Sequence, residues 1–202
     1  MTADFSPFAL EAPNQSPPFV DRNFFDEDLP LRESTARAGV DAAAEGLSAF
    51  GAEYGAAEQI EAGRLANENP PKLRVVDSRG NRIDAVEFHP AYHALMARSM
   101  KAGLHCSIWD QAGAARAPRG HAARAARLYI ATQTEAGHIC PLTMTNASLA
   151  ALRAAPDLAR AWLPKITGRT YDPSLKPWWE KSAVTLGMGM TEPQGGTDVR
   201  AN

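Results

Sequence analysis

Apolar side chains recur at three- and four-residue spacing through most of this chain, and alternate in only one short stretch. Tyr92, Leu95, Met96 and Met100 fall on one face of a helix that Pro90 opens and that runs to about residue 103. An earlier helix starts at Leu29, where Pro30 suits a first turn and acidic residues stand ahead of it. Alanine-rich sequence continues over residues 32–54, with boundaries expected near Gly39 and Gly51. A helix over about 56–67 carries Ile60 and Leu65 on its apolar face, and Pro70-Pro71 stops it. Further helices are predicted over about 121–137, carrying Ala125, Leu128, Tyr129 and Thr132, then 142–154 and 157–166, with Cys140-Pro141 as the break between the first two. The alternating exception is Leu73–Val76 and Ile83–Phe88, which flank a turn-rich tip. That pattern predicts a β-hairpin, and a lone hairpin is marginal, so it should pack against helices.

The two ends read differently. Residues 1–28 form an extended arm, because Pro7, Pro13, Pro17 and Pro18 oppose helix. Phe5, Phe8, Phe19, Phe24 and Phe25 suit an arm that lies on a surface, its own or a neighbouring subunit's. Tyr171 to Lys181 is a linker rich in proline and tryptophan, leading to a strand-like apolar run, Val184 to Met190. No internal repeat appears. The fold class is therefore mainly α, a helical domain with a small β-hairpin insert followed by the first strand of a truncated β domain. Its divisions are an arm over 1–28, a helical domain over 29–181 and the start of the β domain over 182–202.

A formal net charge of −2 gives no global argument for binding nucleic acid or membrane. Arg116, Arg119, Arg124 and Arg127 form a local basic cluster that reads either as a phosphate contact or as a solvated helix face paired with acids. Cys106 and Cys140 lie far apart with no CxxC pair, so both are expected reduced and buried. His89 and His93 stand at i, i+4 without further ligands at matching positions, so packing or capping is expected and no metal site is assigned. Nothing resembles a signal peptide or a membrane span, and a cytoplasmic location is expected.

Candidate chemistry sits at the C-terminal end. Gly195-Gly196 allows positive φ and close approach of backbone to a ligand. Successive N–H groups there make a concave anion site, and Thr197 adds a hydroxyl. Asp198 is better suited to holding the loop than to meeting an anion. The segment Cys140-Pro-Leu-Thr-Met-Thr145 has two readings, a lining of a substrate crevice or a helix start whose threonines bond locally.

The run Gly189-Met190-Thr191-Glu192, two residues, Gly195-Gly196-Thr197-Asp198, two residues, Ala201 resembles the first signature of the acyl-CoA dehydrogenases, with every constrained position filled. Arg64-Leu-Ala-Asn-Glu-Asn-Pro-Pro71, Phe88-His-Pro-Ala-Tyr-His93 and Glu135-Ala-Gly-His-Ile-Cys-Pro-Leu-Thr-Met-Thr145 resemble one branch of that family, the AidB-like flavoproteins of the DNA-alkylation response. The resemblance implies FAD as cofactor. It makes Met188, Gly189, Met190, Thr191, Glu192, Pro193, Gln194, Gly195, Gly196 and Thr197 the candidate cofactor-binding set. Met188, Met190 and Thr191 would meet the isoalloxazine ring, and Thr197 with Gly195-Gly196 the pyrophosphate.

The reaction so implied is α,β-dehydrogenation of an acyl-CoA, by a carboxylate that the family carries beyond residue 202. No catalytic residue is assigned here, and Glu192 belongs to the signature, not to that role. The implied partners are the remaining β domain and a C-terminal helical bundle, in a homo-tetramer, with no direct DNA binding by this segment. Alone, the chain is expected to be inert and to expose apolar surface that the whole enzyme covers. A different class of reading stays open: a non-catalytic assembly module with no cofactor of its own.

Overall fold

The computed structural model describes residues 14–109, 117–189 and 197. Seven helices follow one another among them: α1 (Leu29–Arg37), α2 (Leu47–Gly55), α3 (Ala57–Glu68), α4 (Pro90–Lys101), α5 (Ala117–Thr134), α6 (Ile139–Leu152) and α7 (Pro156–Ile166). A hairpin of β1 (Lys72–Val76) and β2 (Arg82–Glu87) separates α3 from α4, and a 3₁₀ turn covers Trp178–Glu180. α1 begins as its sequence predicts: the Asp28 carboxylate accepts from the Leu31 N–H, with proline in the first turn. Gly39 lies just past its end at φ +70. The next boundary is Gly46 at φ +63, not Gly51, which lies inside α2. Gly51 was misread because its reason is packing: a Cβ there would press on the Phe25 backbone. α5 ends at Thr134, and Cys140-Pro141 sits in the first turn of α6, where proline costs no hydrogen bond.

α3 packs on α4, α2 on α5 and α3, and α7 on α6. The main core gathers Leu47, Tyr54, Met96, Met100, Leu104, Ile130 and Leu142, all at most 1% exposed. Phe24 and Phe25 join it, so the expected arm becomes part of the body from Arg22 onward, where Arg22 and Phe24 N–H groups bond to the carbonyls of Gly55 and Gly51. Phe5 and Phe8 lie outside the described residues. A second, smaller cluster holds Leu149, Ile166 and Val184.

The hairpin pairs Leu73 with Val86 and Arg74 with Ala85, with a register irregularity before Val76. Its expected packing against helices is slight: β1 is exposed throughout and Leu73, Val75, Val76 and Val86 stand in solvent, while Ile83 and Ala85 of β2 are half-buried. Residues 183–189 run without turn or bend and form no strand ladder among the described residues. No helix among the described residues is long and apolar enough to cross a membrane.

Candidate functional site

The run toward the signature leaves the helical body in stages. Ala183 and Val184 are buried, Leu186 is partly buried, and Gly187, Met188 and Gly189 are exposed. Two hydrogen bonds pin its buried half. The Val184 N–H donates to the Lys165 carbonyl at the end of α7, at 3.2 Å. The Leu186 N–H donates to Oγ1 of Thr145 on α6, at 2.9 Å. Beyond Leu186 nothing crowds the chain: a Cβ built on Gly187 or Gly189 would meet no heavy atom within 4 Å. Thr197 is exposed. Met190, Thr191, Glu192, Pro193, Gln194, Gly195, Gly196 and Asp198 lie outside the described residues.

A cavity of about 640 Å³ opens beside this run, between the base of the hairpin, α4 and the segment after Tyr171. Met96, Met100 and Val184 contribute apolar lining; Phe88, Tyr92, His93 and Tyr171 contribute rings. Phe88 stacks on Tyr92 at 4.4 Å between centroids, and His93 Nδ1 lies 2.8 Å from the Tyr171 hydroxyl. Burial, then the neighbouring Tyr92 and Asp172, pushes the Tyr171 phenol up to about 12. The Asp172 carboxylate is held well below the usual carboxylate range by hydrogen bonds from Ser174 and from Ser182. With both oxygens so engaged, it braces the loop.

Deeper in the body lies a polar chain. The Tyr54 hydroxyl is 2.8 Å from Ser99 Oγ, which is 2.9 Å from His138 Nε2, and His138 Nδ1 is 2.8 Å from Glu135 Oε2. Burial pushes Glu135 up, but N–H groups of His138 and Gly137 and the imidazole outweigh it and hold the carboxyl low. Burial lowers His138 despite Glu135, leaving it neutral. A carboxylate only accepts, so Nδ1 carries the ring proton and Nε2 accepts from Ser99, which accepts in turn from Tyr54. A serine, a histidine and a glutamate in this order suggest a hydrolytic triad. Ser99 and His138 are 0% exposed, however, and neither lines the cavity, so the chain ties α2, α4 and the start of α6 together.

This buried chemistry makes the fold sensitive to acid. His138 and His105 are both buried and both shifted below the ordinary histidine range, chiefly by burial. Below about pH 6.5 the unfolded chain takes up protons that the folded chain refuses, so stability is lost as pH falls. Two such protons give a slope approaching about 2.7 kcal/mol per pH unit. Glu135 adds to the loss at lower pH, once the unfolded carboxyl protonates first. Urea midpoints at pH 7.5, 6.0 and 5.0 should fall in that order; a flat profile would refute the assignment.

With this geometry in view, comparison with known proteins is informative. Residues 14–173 match the family described as the adaptive response protein AidB N-terminal domain. The chain belongs to the AidB N-terminal domain family. It is also 39% identical over 190 residues to the "Putative acyl-CoA dehydrogenase AidB" of Escherichia coli, covering 94% of this chain and 35% of that protein. Two solved structures share the fold. Caenorhabditis elegans ACDH-11, solved in complex with C11-CoA, superposes with a TM-score of 0.75 at 24% identity, covering 96% of this chain and 32% of that one. The apo form of Bd2924 gives a TM-score of 0.69 at 26% identity, covering 88% of this chain and 34% of that one. The chain thus spans about a third of the length of these relatives.

Within this AidB-type domain the remaining sequence expectations find their places. His89 caps α4 by accepting from the Ala91 N–H, and His93 bonds to Tyr171, so the pair does capping and packing. No three metal-ligating side chains stand together among the described residues. Cys106 is buried, its thiol donating to the Thr167 carbonyl, but Cys140 is exposed, contrary to expectation, because the first turn of α6 faces it outward. Arg127 pairs with Glu45 and Arg124 donates to the Leu104 carbonyl, so these two are turned onto the body of the fold; Arg116 lies outside the described residues. In 140–145 the Thr145 hydroxyl bonds locally, donating to the Pro141 carbonyl at 2.7 Å, and also accepts from the distant Leu186 N–H. Sequence reasoning missed the polar chain. Its signal was Ser99 between Leu95, Met96 and Met100, a hydroxyl on an apolar stripe that burial obliges to find a partner.

Proposed function

We propose that this chain is the N-terminal part of an FAD-dependent flavoprotein of the acyl-CoA dehydrogenase type, acting in the response to DNA alkylation. In this reading residues 188–197 form one wall of the flavin site. The observation that carries it is the exposed, uncrowded backbone beyond Leu186, where Gly187 and Gly189 leave room for a flat ring against the main chain. When bound, FAD supplies the acceptor for a hydride from the β-carbon of an acyl thioester. This chain's share is binding and orientation. N–H groups of the run and the Thr191 hydroxyl favour negative charge on the pyrimidine edge of the ring. Thr197 and the backbone of Gly195 and Gly196 hold the pyrophosphate. The base and the rest of the cradle come from the following β domain and helical bundle, in a homo-tetramer. The family's adaptive-response description and the name of the E. coli relative support this reading.

Purified full-length protein should absorb in the flavin bands, or do so after incubation with FAD. A colourless protein that cannot be reconstituted would overturn the proposal. One observation favours the second reading, an assembly module without cofactor: Leu73, Val75 and Val86 lie in solvent on the hairpin. The same preparation separates the two, since that reading requires ordered oligomers with no flavin.

A further inference from the structure

Thr145 stands at the meeting of two separate structural facts. Its side chain is fully buried, on the α6 face opposite the exposed Thr143. Its hydroxyl proton goes to the Pro141 carbonyl, one turn back, at 2.7 Å, with the Leu186 carbonyl a more distant second acceptor at 3.4 Å. That leaves the oxygen's lone pairs, and one of them receives the Leu186 N–H at 2.9 Å. Leu186 is the last residue of the run that is even partly buried; the next three are exposed. The tether therefore sits at the point where the chain leaves the body.

We infer that Thr145 is the positioning residue of the flavin wall: by holding Leu186 it sets the register in which residues 187–189 present their backbone. The inference rests on the function proposed above. Its physical content is the two-residue period of extended backbone. The N–H groups of Val184 and Leu186 both turn toward the helices, to Lys165 and to Thr145. In straight chain those of Thr185, Gly187 and Gly189 then turn to the opposite edge, away from α6 and α7. A slip by one residue would exchange the two edges and turn Met188 over. Val184 is held by packing against Leu149 and Ile166 as well as by its hydrogen bond. Leu186 has weaker packing, so the hydroxyl decides how far the correct register persists.

The test compares Thr145→Val, which keeps the shape and loses the acceptor, with Thr145→Ser, which keeps the acceptor. Both are made in the full-length protein. Thr145→Val should raise the dissociation constant for FAD roughly tenfold, as loss of one buried hydrogen bond can. In the flavin-free protein the Leu186 amide should exchange at least tenfold faster, while thermal unfolding moves by only a few degrees. Thr145→Ser should restore both readouts. Wild-type FAD affinity in Thr145→Val, or equal loss in both variants, would overturn the inference while leaving the proposed function standing. Should Thr145→Val not fold, Thr145→Ala takes its place with the same two readouts. A wild-type protein that takes up no FAD would instead overturn the proposed function, and this inference with it.

Discussion

Replacing His138 by alanine should lower the free energy of unfolding by about 3 kcal/mol. Three losses add up. The imidazole is fully enclosed, so its removal leaves a cavity. The Ser99 hydroxyl loses its acceptor, and Glu135 loses one donor in a place water does not reach. Two features limit the damage: the Glu135 carboxylate keeps the N–H groups of Gly137 and His138, and Ser99 keeps Tyr54. The larger figure of about 5 kcal/mol for an abandoned buried charge is therefore not reached. His138→Gln can still donate to Glu135 and accept from Ser99, and should cost about 1 kcal/mol. Urea unfolding with unchanged m-value measures both; equal losses for the two variants would mean that volume, not hydrogen bonding, is what His138 supplies.

Gly63→Ala should be nearly as costly, again about 3 kcal/mol, although alanine is ordinarily the better helix former. Gly63 lies in the middle of α3, where the change would normally gain up to about 1 kcal/mol. Here a Cβ would fall inside the Thr134 carbonyl oxygen at the end of α5, and close to the Glu135 side chain. Backbone on both sides leaves no flexible group to yield, so the clash outweighs the propensity and reaches the polar chain through Glu135. Gly187→Ala is the control: open space surrounds it, and its unfolding free energy should stay within about 0.5 kcal/mol of the parent. A stabilised Gly63→Ala protein would show that α3 and α5 are further apart than described.

Much of this architecture could be read locally. Pro30 and Pro90 in first turns, Asp28 as a cap and the stripe Leu95, Met96 and Met100 all act over one or two turns of chain, and α1 and α4 begin as their sequence says. Where reading failed, the cause lay elsewhere in the chain. Gly51 looked like a boundary, and is a helix residue that makes room for Phe25. The hairpin was expected to pack on helices and instead leaves β1 exposed throughout, because pairing preferences say nothing about what lies opposite a strand. Ile60 and Leu65 lie half-buried on the apolar face of α3, Ile60 against the core, yet Gln59 and Gly63 go deeper, and at Gly63 the close approach of α5 demands the smallest side chain.

The candidate site divides along the same line. Sequence alone determined the succession of helices and the family, because these depend on which residues follow one another. Only the tertiary structure decided that Thr145 meets Leu186, forty-one positions later, and that Tyr54, Ser99, His138 and Glu135 form one hydrogen-bonded line. Such partners are chosen by burial: a polar group taken out of water must bond to whatever the packing of distant helices brings within reach, and no local pattern records that choice.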